Sequence, residues 1–335
     1  MRSIRSENQL DVLAATRRRL IALSVLVLAL APKAADAAPE AQTTMCVIDM
    51  GSNTFRRIVG SFEGGRYEQR NIERRTLGVG DDVARHGLIS ETKLKEIEAA
   101  LSSFKTSCQK EGAPDVVAIG TAAFRDAANG RQVVEAAARL GVAMEIATED
   151  RESQLAYLVG SLGRDGYAVI DNGSRSIELV ARNGGVPRHV VFNLGYRVAY
   201  EQFFAAADDA KAACAAFRER LKQEVAKAPF MKGKKALVGV EFGEMVEVLF
   251  KPVPIEGRVL TLGELQQRLD AIASLPRGEF KSLKQTKDID RALPRLVAAA
   301  FLTEAFGYNA LELTERELGT GLIIEAGLKR ASTKE

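Results

Sequence analysis

The sequence predicts an α/β fold of two similar lobes with a cleft between them. The chain reads Val-Ile-Asp-x-Gly-Ser twice, at residues 47–52 and 169–174, and such internal similarity indicates a repeated structural unit. After each copy, strand-like stretches joined by a Gly-Gly turn precede helix-like stretches in the same order. A chain of 335 residues with 46% hydrophobic residues is also long enough to bury two cores.

The first half is predicted to run from a strand meander into alternating helices and strands. The segments MCVIDMG and RRIVGSF are strand-like, and Gly64-Gly65 marks a hairpin turn into a third strand. Ser90 is a predicted N-cap, followed at helical spacing by Leu94, Ile97, Leu101 and Phe104. The next predicted elements are a strand at PDVVAIGTAAF, a helix at RQVVEAAARLG, a strand at VAMEIA and a helix at EDRESQLAYLVGSLG.

The second half repeats this order. The segments YAVIDNG, SIELVARN and RHVVFNLG are strand-like, with a turn at Gly184-Gly185 before the third. Helices are predicted from residue 198 to residue 226, and KKALVGVEFGEMVEVLF predicts a strand, a glycine turn and a helix. Two more helices are predicted at LTLGELQQRLDAIASLP and ALPRLVAAAFLTEAFG, and ALELTERELGTGLIIEAGLKR predicts a strand, a glycine-rich turn and a closing helix.

Residues 1–37 have the pattern of a signal peptide. The segment TRRRL precedes an apolar run of about 11 residues, and an Ala-x-Ala site follows, with cleavage near Ala37 or Ala38. Since a membrane-spanning helix needs roughly 20 apolar residues, no permanent membrane anchor is predicted. The expected location is the periplasm or the exterior. The alternative is translation from Met45, which would leave a cytoplasmic protein.

The positive charge of the chain is concentrated in that N-terminal segment. The whole chain has a formal charge of +3, and residues 1–37 alone contain six Lys or Arg against three acidic residues. The remainder is therefore neutral. Because nucleic-acid-binding proteins usually carry a basic face, no nucleic-acid partner is predicted, and any anionic ligand must be held by local arginines.

The cysteines and histidines exclude several kinds of site. Cys46, Cys108 and Cys214 are widely spaced without a Cys-x-x-Cys motif, so neither a zinc ribbon nor a redox pair is indicated. The odd number leaves at least one free thiol. With His86 and His189 as the only histidines, a histidine-rich metal site is excluded and a histidine-based triad is disfavoured.

The repeated motif predicts a phosphate-binding cleft. A single Asp-x-Gly-Ser at a strand end is ordinary turn chemistry, but two equivalent copies would place Asp49 and Asp171 in one cleft. Paired carboxylates there could hold a hard cation or a water, and the small residues after them would let backbone N–H groups bind phosphate oxygens.

Two further segments between the copies contain candidate site residues. Arg125 follows the strand ending near Thr121, where its guanidinium could bind a phosphate or pair with a local acid. Glu149, Asp150 and Glu152 lie at a predicted helix start. Acidic residues there also complement the helix dipole, which is the alternative interpretation.

Together these segments resemble the exopolyphosphatase and guanosine pentaphosphate phosphatase family, the Ppx/GppA phosphatases. The resemblance is carried by VIDMGSNTFRRIV, IGTAAFRDAANG, EIATEDRESQLAYLVG, YAVIDNGSRSIELV and FNLGYRVAYEQFF. It implies two duplicated actin-like lobes of the ribonuclease H-like superfold shared by sugar kinases and Hsp70. Lobe I would span residues 45–160 and lobe II residues 161–335, with the final helix able to pack back on lobe I.

The resemblance also implies an activity and its residues. The activity is magnesium-dependent removal of the terminal phosphate from inorganic polyphosphate, guanosine pentaphosphate or both, by a protein that could form a homodimer. Glu152 matches the catalytic glutamate, the general base for the attacking water. The metal-binding positions are Asp49, Asp171 and Glu178. The phosphate-binding positions are Gly51, Ser52, Asn53, Thr54, Arg125, Gly173 and Ser176, together with Arg175 as a further guanidinium.

The sequence departs from the family pattern at four places. Ser174 and Arg175 replace two glycines of the second loop, which could narrow the phosphate seat. The family's Gly-x-Ser-Gly-Thr turn is GVEFGEM here, which puts Glu241 and Glu244 near the phosphates. The last motif keeps Arg316 and Gly321 but has Gly319-Thr320 in place of an arginine-glutamate pair, and Tyr196 takes a position that is often cysteine.

Three functional hypotheses follow. The first is a phosphoanhydride hydrolase of the exopolyphosphatase type, because Asp49, Arg125, Glu152, Asp171 and Glu178 are all present. The second is a catalytically weak protein that binds a phosphorylated ligand or a partner through the same cleft. The third, an ATP-dependent kinase, is disfavoured because GVEFGEM lacks the small-residue turn expected around an adenosine. Export would favour polyphosphate or another phosphoanhydride as the substrate.

Overall fold

Two mixed β-sheets organise the chain. The computed structural model describes residues 44–182, 184–250 and 254–333, so the predicted signal peptide lies outside the described residues. The strands of the first sheet are β1 (Met45–Met50), β2 (Thr54–Glu63), β3 (Arg66–Thr76), β4 (Val116–Gly120) and β5 (Ala143–Ile146). Those of the second are β6 (Tyr167–Asn172), β7 (Ile177–Ala181), β8 (Arg188–Phe192), β9 (Ala236–Val240), β10 (Val259–Thr261) and β11 (Ala310–Thr314).

The two sheets have the same topology, which confirms the predicted duplication. The first sheet has the order β3-β2-β1-β4-β5, and the second has β8-β7-β6-β9-β11 with β10 added at its edge. In each sheet the first three strands are antiparallel, and the first strand pairs in parallel with the fourth. Asp49 and Asp171 occupy the same position, one residue before the end of the first strand of each sheet.

Helices cover both sheets. In the first half they are α1 (Val79–His86), α2 (Glu91–Lys110), α3 (Ala122–Asp126), α4 (Arg131–Arg139) and α5 (Glu149–Ser161). In the second half they are α6 (Tyr196–Ala199), α7 (Ala210–Val225), α8 (Gly243–Leu249), α9 (Leu262–Ala273), α10 (Arg277–Leu283), α11 (Ile289–Ala305) and α12 (Thr320–Ser332). One π-helical turn, Tyr200–Phe204, continues α6, and a 3₁₀ turn, Pro229–Met231, follows α7. Within the described residues, no helix is both long and apolar enough to span a bilayer.

Most predicted elements are present, with two differences. Ser90 caps α2 as predicted, since its hydroxyl accepts a hydrogen bond from the Lys93 amide. The strand predicted at PDVVAIGTAAF was too long, because it ends at Gly120 and Ala122 begins α3. The short helices α1 and α10 and the short strand β10 were not predicted. Helix α1 begins after Gly78, whose φ is 61°, and has no side-chain cap.

Helix α5 lies between the two sheets, and this fixes the residue at its start. Leu155 and Leu158 pack with apolar residues of the first sheet, whereas Tyr157 and Val159 pack with apolar residues of the second. A helix that is apolar on all sides is a buried helix. The closing helix α12 packs against α5, β1 and β2, on the first sheet. Glu152 therefore projects from a rigid central element.

Candidate active site

The first loop, between β1 and β2, is held from behind by the start of α1. The Asn53 carbonyl accepts hydrogen bonds from the amides of Leu77 and Gly78, at 2.9 and 3.0 Å, and the Ser52 carbonyl accepts one from the Gly80 amide at 2.7 Å. A Cβ on Gly80 would lie 2.9 Å from the Ser52 Cβ, so the approach requires glycine. With its carbonyls bound on this side, the loop is fixed against the lobe.

The second loop, between β6 and β7, is held in the same way by the turn after β8. The carbonyls of Gly173, Ser174 and Arg175 accept hydrogen bonds from residues 195–197, each at 3.0 Å. A Cβ on Gly195 would lie 2.5 Å from the Gly173 carbonyl oxygen. In both lobes, the loop is thus fixed by hydrogen bonds from its carbonyls to amides of a later segment.

The serine and arginine that replace glycines do not strain the second loop. In the described part of the chain the non-glycine residues with a positive φ are Leu162, Glu241 and Asp288, so neither Ser174 nor Arg175 adopts a glycine-type conformation. The Arg175 side chain is about half-exposed, and its Nη1 lies 3.5 Å from Asp126 Oδ2 on lobe I. The arginine therefore lies along the rim of the loop.

Glu152 is mostly buried in the first turn of α5. Thr148 caps this helix by accepting a hydrogen bond from the Arg151 amide at 3.2 Å. Arg125 donates to the Glu152 carboxylate, and also to the Ala147 carbonyl at 2.7 Å. Burial raises the pKa of Glu152, although the Arg125 hydrogen bond opposes the shift. A carboxylate with a raised pKa is a better proton acceptor for a water.

Asp49 is held by a backbone amide from the far end of the chain. Its Oδ2 accepts a hydrogen bond from the Gly319 amide at 3.0 Å, just before α12. The side chain is 3% exposed, and burial raises its pKa while the charge of Arg56 opposes the shift. One carboxylate oxygen is thereby oriented by the protein.

Asp171 of β6 and Glu178 of β7 lie directly opposite each other in the antiparallel register of these two strands. Burial raises the pKa of Asp171, and the charges of Glu241 and Glu178 raise it further. Burial also raises the pKa of Glu178, to about 8, against the hydrogen bond from the Ser176 hydroxyl. Asp171 Oδ1 is buried without a hydrogen-bond partner among the described residues. An unpaired buried carboxylate oxygen is costly unless a cation or a proton meets it.

Almost all the predicted site residues line one cleft of about 720 Å³. The lining includes Asp49, Gly51, Ser52, Asn53, Thr54, Glu152, Asp171, Gly173, Arg175, Ser176 and Glu178. Arg125 does not belong to this lining, because it lies behind Glu152 and is bound by it. The structure thus brings the two loops and the helix α5 carboxylate together, and the roles assigned to these residues stay predictions.

A match to a protein-family model shows which family the chain belongs to. The model of the Ppx/GppA phosphatase family matches residues 69–325. The chain belongs to the Ppx/GppA phosphatase family. It is also 29% identical over 149 residues to an uncharacterized protein of Streptomyces coelicolor, a match that covers 43% of this chain and 44% of that relative. The chain thus matches less than half the length of that relative.

Solved structures of the family share the fold. The crystal structure of the Aquifex aeolicus Ppx/GppA family member superposes with a TM-score of 0.74 at 23% identity, covering 86% of this chain and 98% of that chain. An exopolyphosphatase from Cytophaga hutchinsonii superposes with a TM-score of 0.67 at 17% identity, covering 85% and 98%. The predicted resemblance and the predicted pair of duplicated actin-like lobes are confirmed.

The cleft of this family member could supply part of the ligand shell of a hard divalent cation. In the described ranges, no group of three or more His, Cys, Asp or Glu side chains forms a ready-made metal cage. Magnesium, however, is commonly bound by one or two carboxylates, with waters and substrate phosphates completing its shell. The unpaired Oδ1 of Asp171 is a free ligand of the right kind. The residues present therefore suit a magnesium ion that binds together with a substrate.

Several charged residues of the cleft, Arg56 and Arg295 among them, were not among the predicted site residues, and Gly319 was noted only as a departure from the family pattern. Arg56 lies opposite Asp49 in the register of β1 and β2, as Glu178 lies opposite Asp171 in β6 and β7. The seven-residue spacing shared by both repeats could have identified it. Arg295 of α11 and Gly319 before α12 contact the site from distant segments, and no local pattern announces them.

Proposed function

We propose that this protein hydrolyses the terminal phosphoanhydride bond of inorganic polyphosphate or a related phosphoanhydride. The observation that carries the proposal is the position of Glu152, a mostly buried carboxylate on a rigid helix in the same cleft as both phosphate loops. A general base must lie close to the water it activates and have a pKa suited to accept its proton. Glu152 has the raised pKa that this role needs.

The other residues would hold the substrate and its cation. Asp171 and Glu178, with Asp49 from the opposite lobe, would hold magnesium, which when bound neutralises charge on the phosphates. The loop residues 51–54 and 173–176 would present backbone N–H groups and hydroxyls to the terminal phosphate. Arg125 would act through Glu152, whose carboxylate it orients.

Phosphate release by the purified full chain tests this proposal. With magnesium and polyphosphate, we expect Glu152→Gln to lower the rate of phosphate release by about 100-fold or more, because it removes the general base. Glu149→Gln is the matched control, since Glu149 is an exposed acid in the same helical turn. Equal losses in the two variants, or full activity in Glu152→Gln, would refute the role of Glu152.

A second candidate is a binding protein that uses the same cleft with little catalysis. The arginines of the cleft favour it, because several of them are already paired with carboxylates, such as Arg56 with Glu317 at 2.9 Å. Polyphosphate binding without phosphate release by the wild type would support this candidate. Transfer of phosphate from a nucleotide to a small molecule would contradict both candidates and indicate a kinase.

We also infer that the protein is exported. The leader-like pattern of residues 1–37 and a disulfide between Cys46 and Cys108 support this inference, since disulfides persist mainly in oxidising compartments. The inference predicts that the chain is found without its first 37 residues in the periplasmic or extracellular fraction of cells. A full-length chain recovered with cytoplasmic markers would contradict it.

A further inference from the structure

Three residues at which the chain departs from the family pattern surround one buried arginine. Arg295 of α11 is 2% exposed, and its guanidinium lies 4.0 Å from the centre of the Tyr196 ring. Its Nη1 lies 3.0 Å from Glu244 Oε2, and its Nη2 lies 3.8 Å from Glu241 Oε2. A flat guanidinium favours both an aromatic face and carboxylates. The substitutions at 196, 241 and 244 are thus parts of a single cluster.

The same cluster reaches across the cleft to lobe I. Arg56 Nη2 lies 3.9 Å from Glu241 Oε1, so this carboxylate lies between an arginine of each lobe. Arg291 Nη1 lies 3.5 Å from Glu244. The guanidinium groups at this end of the cleft therefore already have carboxylate partners, which are the groups that a phosphate would have to replace.

The backbone at Glu241 adopts an unfavourable conformation. Glu241 follows β9 with a φ of 62°, a left-handed conformation that is unfavourable for a glutamate. Such a conformation persists only where surrounding contacts maintain it, and it is common at ligand sites. The contacts here are its two arginines.

The acidic groups of the cleft disfavour the binding of a highly charged anion. Nine carboxyl groups and six arginines line it, so acidic groups outnumber basic groups by three. The carboxylates are Asp49, Glu152, Asp171, Glu178, Glu241, Glu244, Glu247, Glu315 and Glu317, and the arginines are Arg56, Arg74, Arg175, Arg291, Arg295 and Arg316. Arg295 Nε is buried without a hydrogen-bond partner among the described residues. A ligand with many phosphates would therefore meet more acidic than basic groups in this cleft.

We propose that Glu241 and Glu244 are specificity-determining residues, which bind Arg295 and Arg56 as internal counter-ions so that the cleft selects short inorganic phosphoanhydrides over long polyphosphate. This inference rests on the proposed phosphoanhydride hydrolase. Each added phosphate brings a negative charge toward carboxylates whose arginine partners are occupied. Affinity therefore stops rising with chain length.

Binding measurements on the full chain test the selectivity. In a Glu152→Gln background, which prevents turnover, tripolyphosphate and long-chain polyphosphate are titrated calorimetrically with magnesium. We expect Glu241→Gln and Glu244→Gln to tighten binding of the long chain by about three- to tenfold, as expected for loss of a partly screened charge. Binding of tripolyphosphate should change less than about twofold, because it brings far fewer negative charges toward these carboxylates.

Glu247→Gln is the matched control. Glu247 lines the same cleft on α8, and in the described part of the chain no ion pair joins it to an arginine. If Glu247→Gln tightens long-chain binding as much as Glu241→Gln, general charge explains the effect and the proposal is wrong. Because the Glu244 side chain is 35% exposed, Glu244→Gln is expected to disturb folding less than Glu241→Gln.

Kinetics of the wild type supply a test that needs no variant. We expect the KM for long-chain polyphosphate, counted per chain, to be no lower than that for tripolyphosphate. A wild type that binds and hydrolyses long chains better than tripolyphosphate overturns this inference and leaves the hydrolase intact. A wild type that binds tripolyphosphate selectively without releasing phosphate refutes the hydrolase and retains the selectivity.

Discussion

Gly319 determines how Asp49 is held. It takes the place of an arginine in the family pattern, and its amide donates to Asp49 Oδ2 at 3.0 Å. A Cβ at this position would lie 2.9 Å from the Asp49 Cβ and 3.0 Å from Val47 Cγ1. A side chain at this position would therefore clash, because the segment before α12 packs directly against Asp49.

We expect Gly319→Ala to destabilise the protein by about 1–3 kcal/mol, the usual cost of forcing a methyl group into a packed site. The backbone itself tolerates alanine, since φ is −58°, so the effect would be steric. Urea unfolding measures it, and phosphate release should fall as Asp49 shifts.

Gly263→Ala is the control for this substitution. Gly263 lies in the first turn of α9, and a Cβ there would meet no atom within 4 Å. Alanine should be neutral or stabilising at that position. Equal effects of the two substitutions would show that close packing at Gly319 is not the cause.

At the scale of the helices, α5 and α12 are joined by an ion pair that has two hydrogen bonds. Arg151 donates to both carboxylate oxygens of Glu325, at 2.7 and 3.0 Å. Both side chains are about one-quarter exposed or less. A two-pronged pair of this kind fixes direction as well as distance. It holds α12 against the helix that carries Glu152.

We expect Glu325→Gln to lower the free energy of unfolding by about 1 kcal/mol at pH 7, a typical value for a partly exposed charged hydrogen bond. The Arg151 hydrogen bond lowers the pKa of Glu325. The contribution is therefore complete above the unfolded-state pKa of a glutamate and is lost as pH falls through the lower folded-state pKa.

The measurement is chemical unfolding of both proteins at several pH values. The difference between them should shrink below about pH 4, as the carboxyl becomes protonated first in the unfolded state and then in the folded state. Glu145→Gln is the control, because Glu145 also pairs with Arg151, at 3.1 Å, but is 45% exposed. A difference that stays constant at low pH would rule out the charge as its source.

The elements show which parts of this structure the sequence could predict. Strands such as β1 and β6 were predictable because they are continuous apolar runs that end in a turn. Helix α2 was predictable because it has a capping serine and a regular apolar face. Helices α1 and α10 were missed because they have eight and seven residues, with no side-chain cap to mark their start.

The candidate site was predictable only where it lies within the repeated motifs. Both aspartates and Glu152 lie in continuous segments that the family pattern includes, and they line one cleft. Arg295 and Gly319 reach that cleft from sequence-distant positions, and no local pattern encodes a long-range contact. The position of Arg125 behind Glu152 likewise depends on how α3 and α5 pack together.

At the scale of the whole molecule, the two lobes share one topology but have different charged residues at equivalent positions. Opposite its aspartate, lobe I has Arg56 and lobe II has Glu178. In the proposed hydrolase, lobe II would therefore supply two of the three carboxylates for the cation, whereas lobe I adds a positive charge beside its aspartate. Arg197 of lobe II lies 3.1 Å from Asp81 of lobe I, and both side chains are about half-exposed. Such exposed pairs are weak, so this pair contributes little to holding the lobes together.

The disulfide links the first strand of lobe I to a helix that covers it. Cys46 lies in β1 and Cys108 near the end of α2, 62 residues apart. Closing a loop of this length reduces the freedom of the unfolded chain and is expected to stabilise the folded protein by about 4 kcal/mol. The strand it anchors ends in Asp49 and Met50, so the bond supports the first phosphate loop.

We therefore expect a reductant to lower the urea midpoint of the wild type and to leave that of a Cys46→Ala/Cys108→Ala variant unchanged. Alkylation of the folded, oxidised protein should label no cysteine, because Cys214 is 4% exposed and burial raises the pKa of its thiol to about 11. Unfolding without reductant should expose one reactive thiol, and unfolding with reductant three. Three reactive thiols without reductant would show that the bond does not form, and would remove one support for export.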